Sequence, residues 1–149
     1  MRIALYQPEI AGNVGAILRL GACLDTGIDV IEPTSFTWSE KALARSGMDY
    51  AHVVDVRRHA DWDAFHAQVA GRIVLLTTRG GVRLDSAEFR GDDVLLMGSE
   101  GSGVPDDVHA RADMQVRIPL AAGMRSLNVA VAAGIALAEA LRQTQGWPE

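Results

Sequence analysis

Short apolar runs alternate with longer segments of helical period along the whole chain, a pattern that admits few architectures besides βα units feeding a mainly parallel sheet. Residues 3–6, 29–31, 53–56, 72–77, 94–97 and 116–120 read as strands. The run Val94-Leu95-Leu96-Met97 is apolar throughout, as suits a central parallel strand buried on both faces. Between them, a helix is expected from about Asn13, a plausible N-cap, with Val14, Ile17, Leu18 and Leu24 at helical spacing. A short helix over 39–45 stops at Gly47, and one over 61–69 is capped by Asp61 and packs Trp62, Phe65 and Val69 on the sheet. Pro105-Asp106-Asp107 opens another through Arg111, and a long helix runs over 126–142. Residues 79–90, with two adjacent glycines, read as a loop. The expected class is α/β, a mainly parallel sheet with helices on both faces.

A length of 149 residues, 48% apolar and 22% charged, suits one compact domain. No apolar run approaches the roughly 18 residues of a membrane span, and Met1 to Tyr6 is too short for a secretory signal. A cytosolic location is the default expectation. Cys23 is the single cysteine, which leaves no internal disulfide and no cysteine-rich zinc site, and its helical apolar setting suggests a buried, inert thiol. Fourteen basic against nineteen acidic residues leave −5, so any nucleic-acid site must be a local patch. Thirteen of the basic residues are Arg, whose planar fork suits phosphate and base stacking; composition bias explains the same count.

Three segments set glycines or polar groups just after an apolar run. In the first, Asn13 opens a helix and Arg19 follows nearly two turns on, flanked by Leu18 and Leu20; a cap and a solvated charge are the bland alternative. The second, Gly98-Ser99-Glu100-Gly101-Ser102-Gly103, lets backbone groups approach a ligand beyond the carboxyl end of a strand, or is a structural turn. Its spacing is neither G-x-G-x-x-G nor the P-loop pattern, which disfavours a nucleotide-binding oxidoreductase or a phosphotransfer enzyme. In the third, Met124-Arg125-Ser126-Leu127-Asn128 leads into an Ala-rich helix that Ser126 is placed to cap, with Asn128 in its first turn. No serine lies in G-x-S-x-G, and the four His lack metal-ligand spacing.

Taken in order, these segments resemble the SPOUT superfamily of RNA methyltransferases, whose motifs are N-x-G-x-x-x-R, G-x-E-x-x-G and S-x-N before the last helix. Asn13, Gly15 and Arg19 match the first, Gly98, Glu100 and Gly103 the second, Ser126 and Asn128 the third. Tyr6-Gln7-Pro8-Glu9-Ile10, Ile31-Glu32-Pro33, Phe36-Thr37-Trp38, Gly47-Met48-Asp49-Tyr50 and Leu76-Thr77-Thr78 further resemble its small TrmL group, which has no appended RNA-binding domain. The chain departs from that group in Val129-Ala130-Val131, where a second Ser-Asn pair is common, and in a second motif closer to the TrmH or SpoU loop.

The resemblance implies methyl transfer from S-adenosylmethionine, with no metal, to the ribose 2′-hydroxyl of the wobble nucleotide of leucine tRNAs. It implies a C-terminal trefoil knot that forms the methyl-donor site. Leu76, Thr77, Gly98, Glu100, Ile118, Ser126 and Leu127 would enclose the donor, largely through backbone groups. Asn13, Arg125 and Asn128 would face the tRNA anticodon stem-loop. Arg19 would be catalytic, as base or as the group that orients phosphate and ribose. A homodimer is implied, packed through the first and last helices, with Arg19 approaching the other chain's site. Lys41, Arg45, Arg79, Arg83 and Arg125 are candidates for phosphate contacts. A 2′-O-methyltransferase for another tRNA or rRNA site is the alternative within the family, and a non-catalytic RNA-binding module the alternative outside enzymes.

Overall fold

The computed structural model describes residues 1–44, 50 and 52–149. Its elements follow as β1 (Arg2–Tyr6), α1 (Ala11–Cys23), β2 (Gly27–Ile31), α2 (Glu40–Ala44), β3 (Val56–His59), α3 (Trp62–Gln68), β4 (Ile73–Leu76), β5 (Val82–Arg83), β6 (Val94–Met97), α4 (Asp106–Arg111), β7 (Met114–Arg117) and α5 (Val129–Thr144). The strands form one sheet in the order β3-β2-β1-β6-β4-β7-β5, and every pairing is parallel. The α/β expectation holds.

Alternation along each central strand explains why both faces carry helices. Ile3 and Leu5 of β1, with Leu95 and Met97 of β6, point into a core shared with Val14, Ile17 and Leu18 of α1 and Ala133, Ala136 and Leu137 of α5. Ala4, Tyr6, Val94 and Leu96 point the other way, onto Trp62 and Phe65 of α3 and Val108 of α4. A strand buried on both sides has no polar face, hence the unbroken apolar runs. Small residues let α5 lie close to the sheet, with Ala133, Ala136 and Ala140 fully buried.

Several boundaries move. The third strand begins at Val56, where Val53 and Val54 were expected; Val53 is 72% exposed. An ion-paired frame sets this register. Arg2 Nε donates to Asp29 Oδ2 at 2.5 Å and Arg2 Nη1 to Asp55 Oδ2 at 2.5 Å, while the Ile28 amide bonds the Asp55 carbonyl at 2.9 Å. The last strand ends at Arg117, not Leu120, so Ile118-Pro119-Leu120 leaves the sheet, and Pro119 lacks the amide a ladder needs. Its start is pinned where the Asp113 carboxylate accepts from the Ile73 amide at 2.7 Å. Within the expected loop over 79–90 lie β5 and a 3-10 turn, Leu84–Ser86. Asp61 caps α3 as expected, accepting from the Ala64 amide at 2.8 Å. Cys23 is exposed rather than buried, because α1 turns it away from the sheet. The Gly47 stop lies outside the described residues.

Candidate functional site

At the carboxyl ends of β4, β6 and β7 three chain segments close on a cleft of about 640 Å³. They are residues 75–79 at the end of β4, 97–104 at the end of β6, and 118–129 leading into α5, with Ile10 and Asn13 at the start of α1 completing the wall. Leu76, Thr77, Gly98, Glu100, Ile118, Arg125, Ser126, Leu127, Asn13 and Asn128 all line it. Arg19 does not. It lies on the exposed surface of α1, about 9 Å along the axis and about 120° around it from Asn13, with Cζ 5.3 Å from the Tyr50 ring centroid.

The second segment is tight because two glycines permit it. A Cβ on Gly98 would lie 2.7 Å from Gly103 Cα, and Gly103 has φ +66°, a conformation that favours glycine. Reciprocal Ser99 and Gly103 backbone hydrogen bonds of 3.0 and 2.9 Å then pin the turn. Thr77 shapes the first segment, its hydroxyl accepting from the Arg79 amide at 3.0 Å. Arg79 reaches across the mouth to Asp106 Oδ1 at 2.9 Å, and this hydrogen bond holds the Asp106 carboxyl below its ordinary range.

Glu100 joins the cleft to α1. Its Oε2 accepts from the Glu9 amide at 2.8 Å and its Oε1 from the Ile10 amide and Asn13 Nδ2, each at 3.3 Å. The N-cap position, Ile10, has no side chain to offer, so a carboxylate from 90 residues away serves the amides at the positive end of the helix dipole. Asn13 is therefore not the cap; it sits in the first turn and passes the connection on, its Oδ1 accepting from Asn128 Nδ2 at 2.9 Å. Asn128, not Ser126, caps α5, accepting from the Ala130 and Val131 amides at 2.9 and 3.2 Å. Glu100, Asn13 and Asn128 form one continuous relay across three segments and two helix starts.

Some contributors carry no sequence signal of a site. Leu75, Leu120 and Ala132 line the cleft as plain aliphatic groups. Glu9, which accepts from the Ser99 hydroxyl, ties the second segment to the β1 to α1 turn, and only the Gly101 opposite its carboxylate hints at this.

A cleft walled by apolar side chains and exposed loop backbone, over the carboxyl ends of a parallel sheet, defines an α/β protein that holds a small organic molecule. The chain belongs to the SpoU rRNA Methylase family, whose model matches residues 1–138. It is 50% identical over 144 residues to a tRNA (cytidine(34)-2'-O)-methyltransferase of Beijerinckia indica subsp. indica, covering 95% of this chain and 90% of the relative. It superposes with TM-score 0.91 and 40% identity on a structure solved for the 2-OH methylation of C/U34 on tRNA, covering 95% and 94% of the two chains. An AdoMet-bound rRNA methyltransferase from Sinorhizobium meliloti matches with TM-score 0.84 and 30% identity, over 95% of this chain and 55% of that one.

Proposed function

We propose that this protein transfers a methyl group from S-adenosylmethionine to the ribose 2′-hydroxyl of the wobble nucleotide, position 34, of leucine tRNAs. The observation that carries the reading is the convergence of the three segments on one cleft, in a chain related across its length to enzymes of that activity. The donor, when bound, supplies an electrophilic methyl on a sulfonium centre. The cleft fits such a molecule: its volume lies within the roughly 300–1,000 Å³ range of small-molecule sites. Leu76, Gly98 and Ile118 would hold the donor through backbone groups, with Thr77, Glu100, Ser126 and Leu127 around them. Leu75, Leu120 and Ala132 supply an aliphatic part of the wall. Asn13, Asn128 and Arg125 stand at the RNA side.

Arg19 is assigned to the cleft of a second copy, because it lies outside its own. Exposed Val131 and Ile135 on α5, one turn apart, supply an apolar stripe for a homodimer built on α1 and α5. The planar fork of its guanidinium suits Arg19 to orienting phosphate and ribose. Lys41, Arg79, Arg83 and Arg125 are assigned to RNA phosphates; Arg45 lies outside the described residues. A C-terminal trefoil knot is supported by the seat of β7 between β4 and β5, strands that follow one another in the chain. A cytoplasmic location suits a tRNA substrate, and no described helix is long and apolar enough to cross a membrane.

The test is nucleoside mass spectrometry of leucine tRNAs from cells with and without the protein, paired with label transfer from S-adenosylmethionine by the purified chain. The 2′-O-methyl group at position 34 disappears without the protein and returns with it. An unchanged nucleoside profile overturns the reading, and RNA binding without label transfer replaces it by a non-catalytic module.

A further inference from the structure

The segment Phe36-Thr37-Trp38 lies outside the cleft and forms one side of a layered stack. The Phe36 and Trp38 rings are 6.4 Å apart with 25° between their planes, and Arg58 Cζ sits 5.0 Å from the Trp38 centroid. Glu32 accepts from Arg58 Nη2 and steadies the guanidinium, while 44% of the Arg58 side chain remains exposed. The Trp38 ring under the guanidinium, itself stacked with Phe36, makes a polarisable surface. Glu32 occupies one edge of the guanidinium, and its face stays free for stacking.

The stack is tied to the site. Arg58 pairs in register with Val30, next to Leu5, and so projects on the sheet face that α1 covers. The Ser35 amide donates to the Pro8 carbonyl at 3.1 Å, immediately before the Glu9 and Ile10 amides that Glu100 holds. From β3 to β6 the sheet spans three strand spacings, about 14 Å. At about 3.4 Å per nucleotide an RNA strand covers that in about four nucleotides.

We propose that the Phe36, Trp38 and Arg58 stack is a platform for a nucleobase: an unstacked base of the RNA loop that carries the methylated nucleotide seats on the Arg58 guanidinium, with Trp38 and Phe36 as backing. The inference rests on the RNA-methyltransferase reading above. Because every base has a π-face, the platform holds the loop without selecting one base, and it acts on substrate binding rather than on the transfer step.

The experiment uses an anticodon stem-loop RNA with 2-aminopurine placed in turn at each loop position, and the full-length wild-type protein beside Arg58→Gln and Trp38→Leu. With wild type, one position is quenched by stacking; both variants relieve the quench and raise KM roughly 5- to 150-fold, the loss of one base stack, with kcat retained. Arg58→Gln changes a surface residue and keeps the wild-type melting temperature, so the outcome does not hang on folding of the Trp38 variant. Unchanged KM and unchanged quenching in Arg58→Gln overturn the platform. Wild-type protein that methylates no RNA overturns the methyltransferase reading instead, and the 2-aminopurine signal then still decides the platform.

Discussion

Glu100 does at the scale of one residue what a local cap does in an ordinary helix. Its carboxylate accepts from two backbone amides of the β1 to α1 turn and from the Asn13 side-chain Nδ2, and it also lines the cleft. Glu100→Ala leaves those donors without their acceptor and is expected to destabilise the fold by about 1–2 kcal/mol. Calorimetry then shows a melting temperature about 2–8 °C lower; an unchanged value would show that α1 starts without it. Arg19 poses a different question, since it does not line its own cleft. Arg19→Lys keeps the charge and loses the planar fork, so tRNA binding is retained while kcat falls by about 100-fold or more. Near-wild-type turnover removes Arg19 from the reaction. The residue types of the site were legible because the three motifs survive as short strings. What Glu100 and Asn13 bond to was not, because the partners lie 90 and 115 positions away along the chain.

Elements with a strong local signal appear where the pattern puts them: β1, β6, α3 and α4 owe their positions to apolar period, to the Asp61 cap of α3 and to Pro105 ahead of α4. Elements at the sheet edge do not. β3 carries Arg57 and Arg58 where a buried strand would carry apolar residues, and Val53, the more attractive start, is left in solvent. Its register is decided by Arg2 reaching from β1 to Asp55, a contact across two strands. That hydrogen bond is the main reason the Asp55 carboxyl lies below its ordinary range, so its share of stability is present above about pH 4 and lost as the pH falls below it. Asp55→Asn therefore reduces the acid sensitivity of the urea midpoint between about pH 5 and about pH 2. The change is small because the carboxylate is 55% exposed to screening solvent. Both helices that border the site begin away from the residue the pattern favours, α1 at Ala11 with its cap from Glu100 and α5 after Asn128.

For the molecule as a whole, 149 residues offer little surface to grip a folded RNA, and net charge −5 gives no general attraction to one. Two copies joined through α1 and α5 would supply both the surface and the missing arginine. Sedimentation at micromolar concentration is expected to show a species of twice 16.0 kDa; a monomer alone removes both the dimer and the placement of Arg19 in a partner's cleft. Periodicity, motif order and composition were enough to determine an α/β chain, its central strands and the residue types of its site, since each is a property of neighbours along the backbone. The strand order, the relay from Glu100 through Asn13 to Asn128, the exclusion of Arg19 from its own cleft and the Trp38 and Arg58 stack were decided only by tertiary structure. Each depends on groups far apart in the chain coming within a few ångströms, and no local pattern encodes that distance.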